Sequence, residues 1–138
     1  MLIAQVNLWA VLAGTVSNMI LGYLWYGPFF GKIWMAEMGS NRTSLTPAQK
    51  KEGSKAMAWA VLIALITSYV LADLMYYGGF LTPSKAIQFA VLVWLGFIAT
   101  TQANNSIFEK RKWSLYIIGV SYQLVSLVVM ATIIVLLK

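Results

Sequence analysis

Leu21-Gly22-Tyr23-Leu24-Trp25-Tyr26-Gly27-Pro28-Phe29-Phe30-Gly31-Lys32-Ile33-Trp34 carries the chain from a long apolar segment, through a Gly-Pro turn, to its first charged side chain. No charged residue precedes Lys32, whereas five basic residues, Lys32, Arg42, Lys50, Lys51 and Lys55, follow before the next apolar run. That asymmetry is the pattern of a helix leaving a bilayer at its cytoplasmic face. The composition agrees. Of 138 residues, 60% are apolar and 10% charged, with a mean hydropathy of +0.75, whereas a soluble domain carries roughly a quarter of its residues as charges. The net charge of +6 would suggest nucleic acid in a soluble chain. Here eight of the ten Lys and Arg fall in two connecting segments, which makes the charge a topology signal and argues against a nucleic-acid partner.

The expected fold is all-α, a polytopic membrane protein with four transmembrane helices in an antiparallel bundle and a short interfacial helix after the first. The helices are predicted at about 4–26, 56–77, 84–108 and 114–137, in one domain spanning 1–138, with a cytoplasmic segment over 28–55. At about 1.5 Å per residue each is long enough to cross roughly 30 Å of hydrocarbon. Pro28 is placed to open the interfacial helix, Thr46-Pro47 the second span and Thr82-Pro83 the third, because proline at the first helical position has no N–H to leave unpaired. Ser114 is the expected cap of the last helix. Gly78-Gly79 followed so closely by Thr82-Pro83 predicts a hairpin of the second and third spans. Five and three basic residues in the two inner connections outvote Lys85 and Lys138, so both termini are expected outside a bacterial inner membrane.

Asn7, Val11, Gly14, Asn18, Gly22 and Trp25 recur at spacings of three and four, which puts amides and glycines on one face of the first helix. That face is expected to pack on other helices. From the cytoplasmic ends of their helices, Asn18 lies about 12 Å deep, Thr100 and Thr101 about 10 Å, and Gln123 about 13 Å. Three helices thus offer uncharged polar groups at one level, as either a hydrogen-bonded contact or a small polar cavity. Asp73 is the sole acid in a predicted span, which marks it as a candidate intramembrane functional acid. Its shallow position favours a structural pair with Lys85. Trp25, Tyr26, Trp34 and Trp113 at one end, and Tyr76 and Tyr77 at the other, are expected in interfacial aromatic belts.

The interface motif of Trp25, Tyr26, Gly27, Pro28, Gly31, Lys32 and Trp34, preceded by Asn7 and Gly22, resembles the signature of a bacterial membrane family catalogued as domain of unknown function 1761. Trp94-Leu95-Gly96-Phe97, Asn104-Asn105-Ser106-Ile107-Phe108-Glu109 and Tyr122-Gln123-Leu124 resemble later segments of that family, so the likeness covers nearly the whole chain. It implies a four-helix membrane protein and supplies no activity, substrate or catalytic residue.

The chain has no Cys and no His, and no metal-ligand set, phosphate loop or nucleophile with a base is visible. No enzyme and no cofactor is expected. Two function classes remain. One is an oligomeric bundle that binds or passes a small solute through the polar layer; the other is a scaffold or accessory subunit packed on partner membrane proteins. Beyond lipid, the expected partners are copies of the chain or other membrane proteins.

Overall fold

The computed structural model describes residues 6–38 and 47–137, and among them every regular element is helical. Helix α1 spans Leu8–Leu24 and runs into a π-helical turn, Trp25–Phe29; α2 spans Gly31–Met38 and α3 spans Pro47–Gly78. Helix α4, Pro83–Val93, continues through a second π-helical turn, Trp94–Ala99, into α5, Thr100–Phe108, and α6 spans Trp113–Leu137. Four stretches, Leu8–Phe29, Gly53–Gly78, Pro83–Phe108 and Trp113–Leu137, are long and apolar enough to cross a membrane. The side chain of Trp34, the segment 39–46 with its expected Thr46 cap, the start of the first helix before residue 6 and Lys138 lie outside the described residues.

Local chemistry sets the helix ends. Asn7 caps α1, its side chain accepting from the Trp9 amide at 3.0 Å, and the helix begins at Leu8. Thr82 caps α4 as expected, with Pro83 in the first turn. Ser114 instead falls inside the first turn of α6, which starts at Trp113. Helix α3 stops where Gly79 takes a left-handed conformation (φ 74°) and the Phe80 amide donates back to the Met75 carbonyl at 2.9 Å. Pro28 lies within the first π turn, and α2 opens three residues later, at Gly31. A proline offers no N–H and crowds the carbonyl four residues back; the turn widens and closes instead with the Phe30 amide on the Trp25 carbonyl at 2.9 Å.

The helices pack as a row, α3 on α1, α1 on α6, and α6 on α4. Asn7, which caps α1, Asn18 within it and Trp25 just after it hydrogen-bond to Leu137, Ser126 and Ile118 of α6, so the two helices run in opposite senses. The expected hairpin of α3 and α4 does not form. Although a short connection joins them, α4 packs on α6 and α3 on α1. Small residues decide this: Ala86 and Ala90 of α4 join a buried cluster with Met130 and Ile134 of α6, while Ser68 of α3 meets α1.

That cluster sits towards one end of the molecule. Ala10 and Val11 from the start of α1, Leu71, Ala72 and Met75 from the end of α3, and Leu127 through Val135 of α6 make up most of it. This is the terminal end, where α1 begins and α6 ends. The opposite, basic end, carrying Lys32, Lys51, Lys55 and Lys110 to Lys112, is less filled, and the cavity described next lies in that half.

Candidate functional site

Helices α1 and α3 pack together over the crossing that runs from Met75 back to Ser68, and part beyond it. At the crossing, the buried Ser68 hydroxyl donates to the Val11 carbonyl at 2.9 Å, and a Cβ added to Gly14 would lie 2.5 Å from Ser68 Oγ and 3.0 Å from Met130 Cγ. Only a glycine admits α3 and α6 this closely. Two turns on, the nearest atom to a Cβ on Gly22 is the Tyr122 hydroxyl at 3.2 Å, from α6, and a Cβ on Gly27 would meet nothing within 4 Å. The facing positions on α3, Ala60 and Ala64, carry single methyl groups. Neither wall fills the gap, leaving a cavity of about 490 Å³ between α1, α3 and α6.

Its back wall is polar. The Asn18 Oδ1 accepts from the Ser126 hydroxyl at 2.8 Å and from the Tyr122 hydroxyl, which also lies 3.0 Å from the Asn18 backbone carbonyl. With its oxygen occupied twice, Asn18 retains two side-chain N–H donors that have no partner among the described residues. Gln123, one residue along α6, lines the same cavity, and no partner for its carboxamide is found among the described residues. Tyr23, Tyr26, Met19, Met57, Ile63 and Thr67 line the remaining walls, with no charged side chain among the lining residues. A bare charge in so apolar a setting would cost several kcal/mol or more, so the lining suits uncharged groups.

The profile of the family described as protein of unknown function DUF1761 matches residues 9–135. This chain belongs to the DUF1761 family. No curated protein and no solved structure matches it.

The motif by which the chain resembles DUF1761 proteins has a structural use that the belt reading missed. Trp25 does not simply lie at an interface; its indole N–H donates to the Ile118 carbonyl at 3.0 Å, and its ring packs on Phe30 with centroids 5.0 Å apart. Tyr26 meets Tyr122 edge to face at 5.5 Å and lines the cavity. Gly31 is pressed against the π turn, where an added Cβ would lie 2.7 Å from the Tyr26 carbonyl oxygen. Lys32 is exposed beside it. A second Trp-x-Gly sequence, Trp94-Leu95-Gly96, opens the other π turn, and the Trp94 indole donates to the Val120 carbonyl at 2.8 Å. Two wide turns therefore grip α6 on either side of Gly119.

Of the expected polar layer, Asn18 and Gln123 come together and Thr100 and Thr101 do not. Both threonines are exposed on α5, and the Thr100 hydroxyl donates to the Gly96 carbonyl of its own helix at 2.8 Å. Tyr122, Ser126 and Thr67 take their place at the cavity. The Asp73 to Lys85 pair is also absent: among the described residues the ion pair formed is Arg111 to Glu109, at 3.1 Å. Asp73 is 7% exposed with Oδ1 lacking a hydrogen-bond partner, while Lys85 is exposed at the start of α4, a helix that packs away from α3.

Proposed function

We propose that this DUF1761 protein binds a small uncharged solute in the cleft between α1, α3 and α6, and passes it across a bacterial cytoplasmic membrane as an oligomer, without catalysis. One observation carries the reading. Asn18 and Gln123 turn unused hydrogen-bonding groups toward a cavity whose size lies within the roughly 300–1,000 Å³ of small-molecule sites. In a site built only for packing, helix amides would be expected to satisfy one another. The test is thermal stabilisation and flux for the protein in lipid nanodiscs and vesicles, against a panel of neutral polyols, phenols, amides and indole. A positive solute should lose about tenfold in affinity in Gln123→Leu, the value of one hydrogen bond of about 1.4 kcal/mol. No stabilisation or flux across the panel, together with a stoichiometric membrane partner on gentle extraction, would instead favour a scaffold.

The proposed orientation puts both termini outside, with the basic end in the cytoplasm, because Lys and Arg near span ends set topology. A chain without cysteine suits single-cysteine labelling. In spheroplasts, an impermeant maleimide should modify Thr82→Cys and reach Arg111→Cys only after permeabilisation; the reverse pattern would invert the assignment.

A further inference from the structure

The polarity of the cleft changes along its depth. Its mouth, between α1 and α3, is flanked by Tyr23, Met57 and Ile63, which are 75%, 58% and 60% exposed. All three lie within stretches long and apolar enough to cross a membrane, with Met57 two residues beyond Lys55 at the basic end, so in a bilayer the mouth opens toward lipid from the headgroup level inward. The back wall on α6 carries Tyr122, Gln123 and Ser126, with Asn18 hydrogen-bonded to two of them. An occupant that matches both ends has a polar head against α6 and an apolar tail passing out between α1 and α3.

The chemistry of the head follows from the same groups. Asn18 Oδ1 is already occupied, leaving N–H donors, and Gln123 adds further donors together with one acceptor. The head must therefore bring hydrogen-bond acceptors. Because none of the described residues that line the cavity is charged, the head must also be neutral, or its charge would lie buried without a counter-charge among them. We infer that the ligand is an uncharged amphiphile, with an acceptor-rich head on a hydrocarbon tail, that enters the cleft sideways from the bilayer. This rests on the cleft being a binding site and adds the class of ligand and its route. The α3 crossing at Ser68 closes the mouth on the terminal side, which confines entry to the half of the bilayer nearer the basic end.

Photo-crosslinking in nanodiscs tests it, with a monododecanoylglycerol carrying a diazirine beside the glycerol. The comparison probes are a tailless glycerol diazirine and the same tail on a trimethylammonium head. Peptide mass spectrometry then locates the label. The monoacylglycerol should label Met19, Tyr122 and Gln123, and excess unlabelled monododecanoylglycerol should suppress this about tenfold. Labelling around Leu92, which is 66% exposed on α4 and remote from the cleft, should persist as lipid background. Ala60→Phe places a ring in the empty space before α6 and should remove cleft labelling while leaving the Leu92 background and the thermal melt, which reports an intact fold, unchanged. Equal, non-competable labelling at the cleft and at Leu92 would reduce the cleft to lipid-coated surface and overturn the inference. Cleft labelling by the tailless probe that matches the tailed one would overturn lipid-side entry and leave the solute site standing. Equal labelling by the cationic probe would overturn the neutral head. Should no probe reach the cleft, the site itself and this inference would fall together.

Discussion

Gly14→Leu is expected to destabilise the protein by about 3 kcal/mol, the upper part of the range for overpacking a fitted contact. Its first added carbon would meet two fully buried side chains at once, Ser68 and Met130, and the Ser68 hydroxyl is already held on Val11. Replacing a helical glycine also favours the helix by about 1 kcal/mol, so the choice of control matters. Gly22→Leu gains the same propensity but faces the cavity, where the nearest obstacle is one tyrosine hydroxyl. It should cost less in stability while filling the proposed binding site. Val16, 56% exposed on another side of α1, should accept leucine without effect. Thermal melts of the three variants in one detergent decide it: if Gly14→Leu melts with Val16→Leu, the α1 to α3 crossing is not the close contact described.

Met130→Ala is the second large effect, about 2 kcal/mol. Met130 is fully buried in the cluster at the terminal end and is the α6 residue that Gly14 admits. In a soluble core such a truncation costs about 2–5 kcal/mol, the transfer term and the cavity term together. Between membrane helices the transfer term shrinks, because lipid is as apolar as the site; what remains is lost dispersion contact around a void. Steric unfolding in bicelles would measure it. A loss below about 0.5 kcal/mol would mean that neighbouring side chains collapse into the space. In the double variant Gly14→Ala with Met130→Ala the penalties should sum to less than their separate values, because the second change removes one of the two obstacles to the first.

The four spans and the inward face of α1 could be read from the sequence because both depend on periodicity within a single helix. Val11 and Gly14 are buried and Asn18 is hydrogen-bonded to α6, as the three-and-four spacing requires. The polar layer was half legible. Counting residues from a helix end gives depth, which is right for Asn18 and Gln123, but gives no direction around the helix axis. Thr100 and Thr101 fail for that reason, and the π turn Trp94–Ala99 compounds it, since a widened turn rotates everything beyond it relative to a count by four. Tyr122 and Ser126 could have been found as an i, i+4 pair at the depth of Asn18, offering the hydroxyl donors that its carboxamide needs. The partners of each helix were not legible. A short loop says that α3 and α4 are joined; which small-residue face meets which helix depends on the shapes of all four.

Helix α3 is a 32-residue rod held against its neighbours from Ser68 to Met75, and the cavity lies beside the stretch before Ser68. It is therefore a lever with its pivot well off centre. From that pivot the cleft at Met57 is about 16 Å away and Lys51 about 25 Å, at 1.5 Å per residue. If the proposed occupant wedged α3 outward by about 1 Å at Met57, Lys51 would swing by about 1.5 Å, so the proposed binding event would be enlarged at the charged tip of the helix.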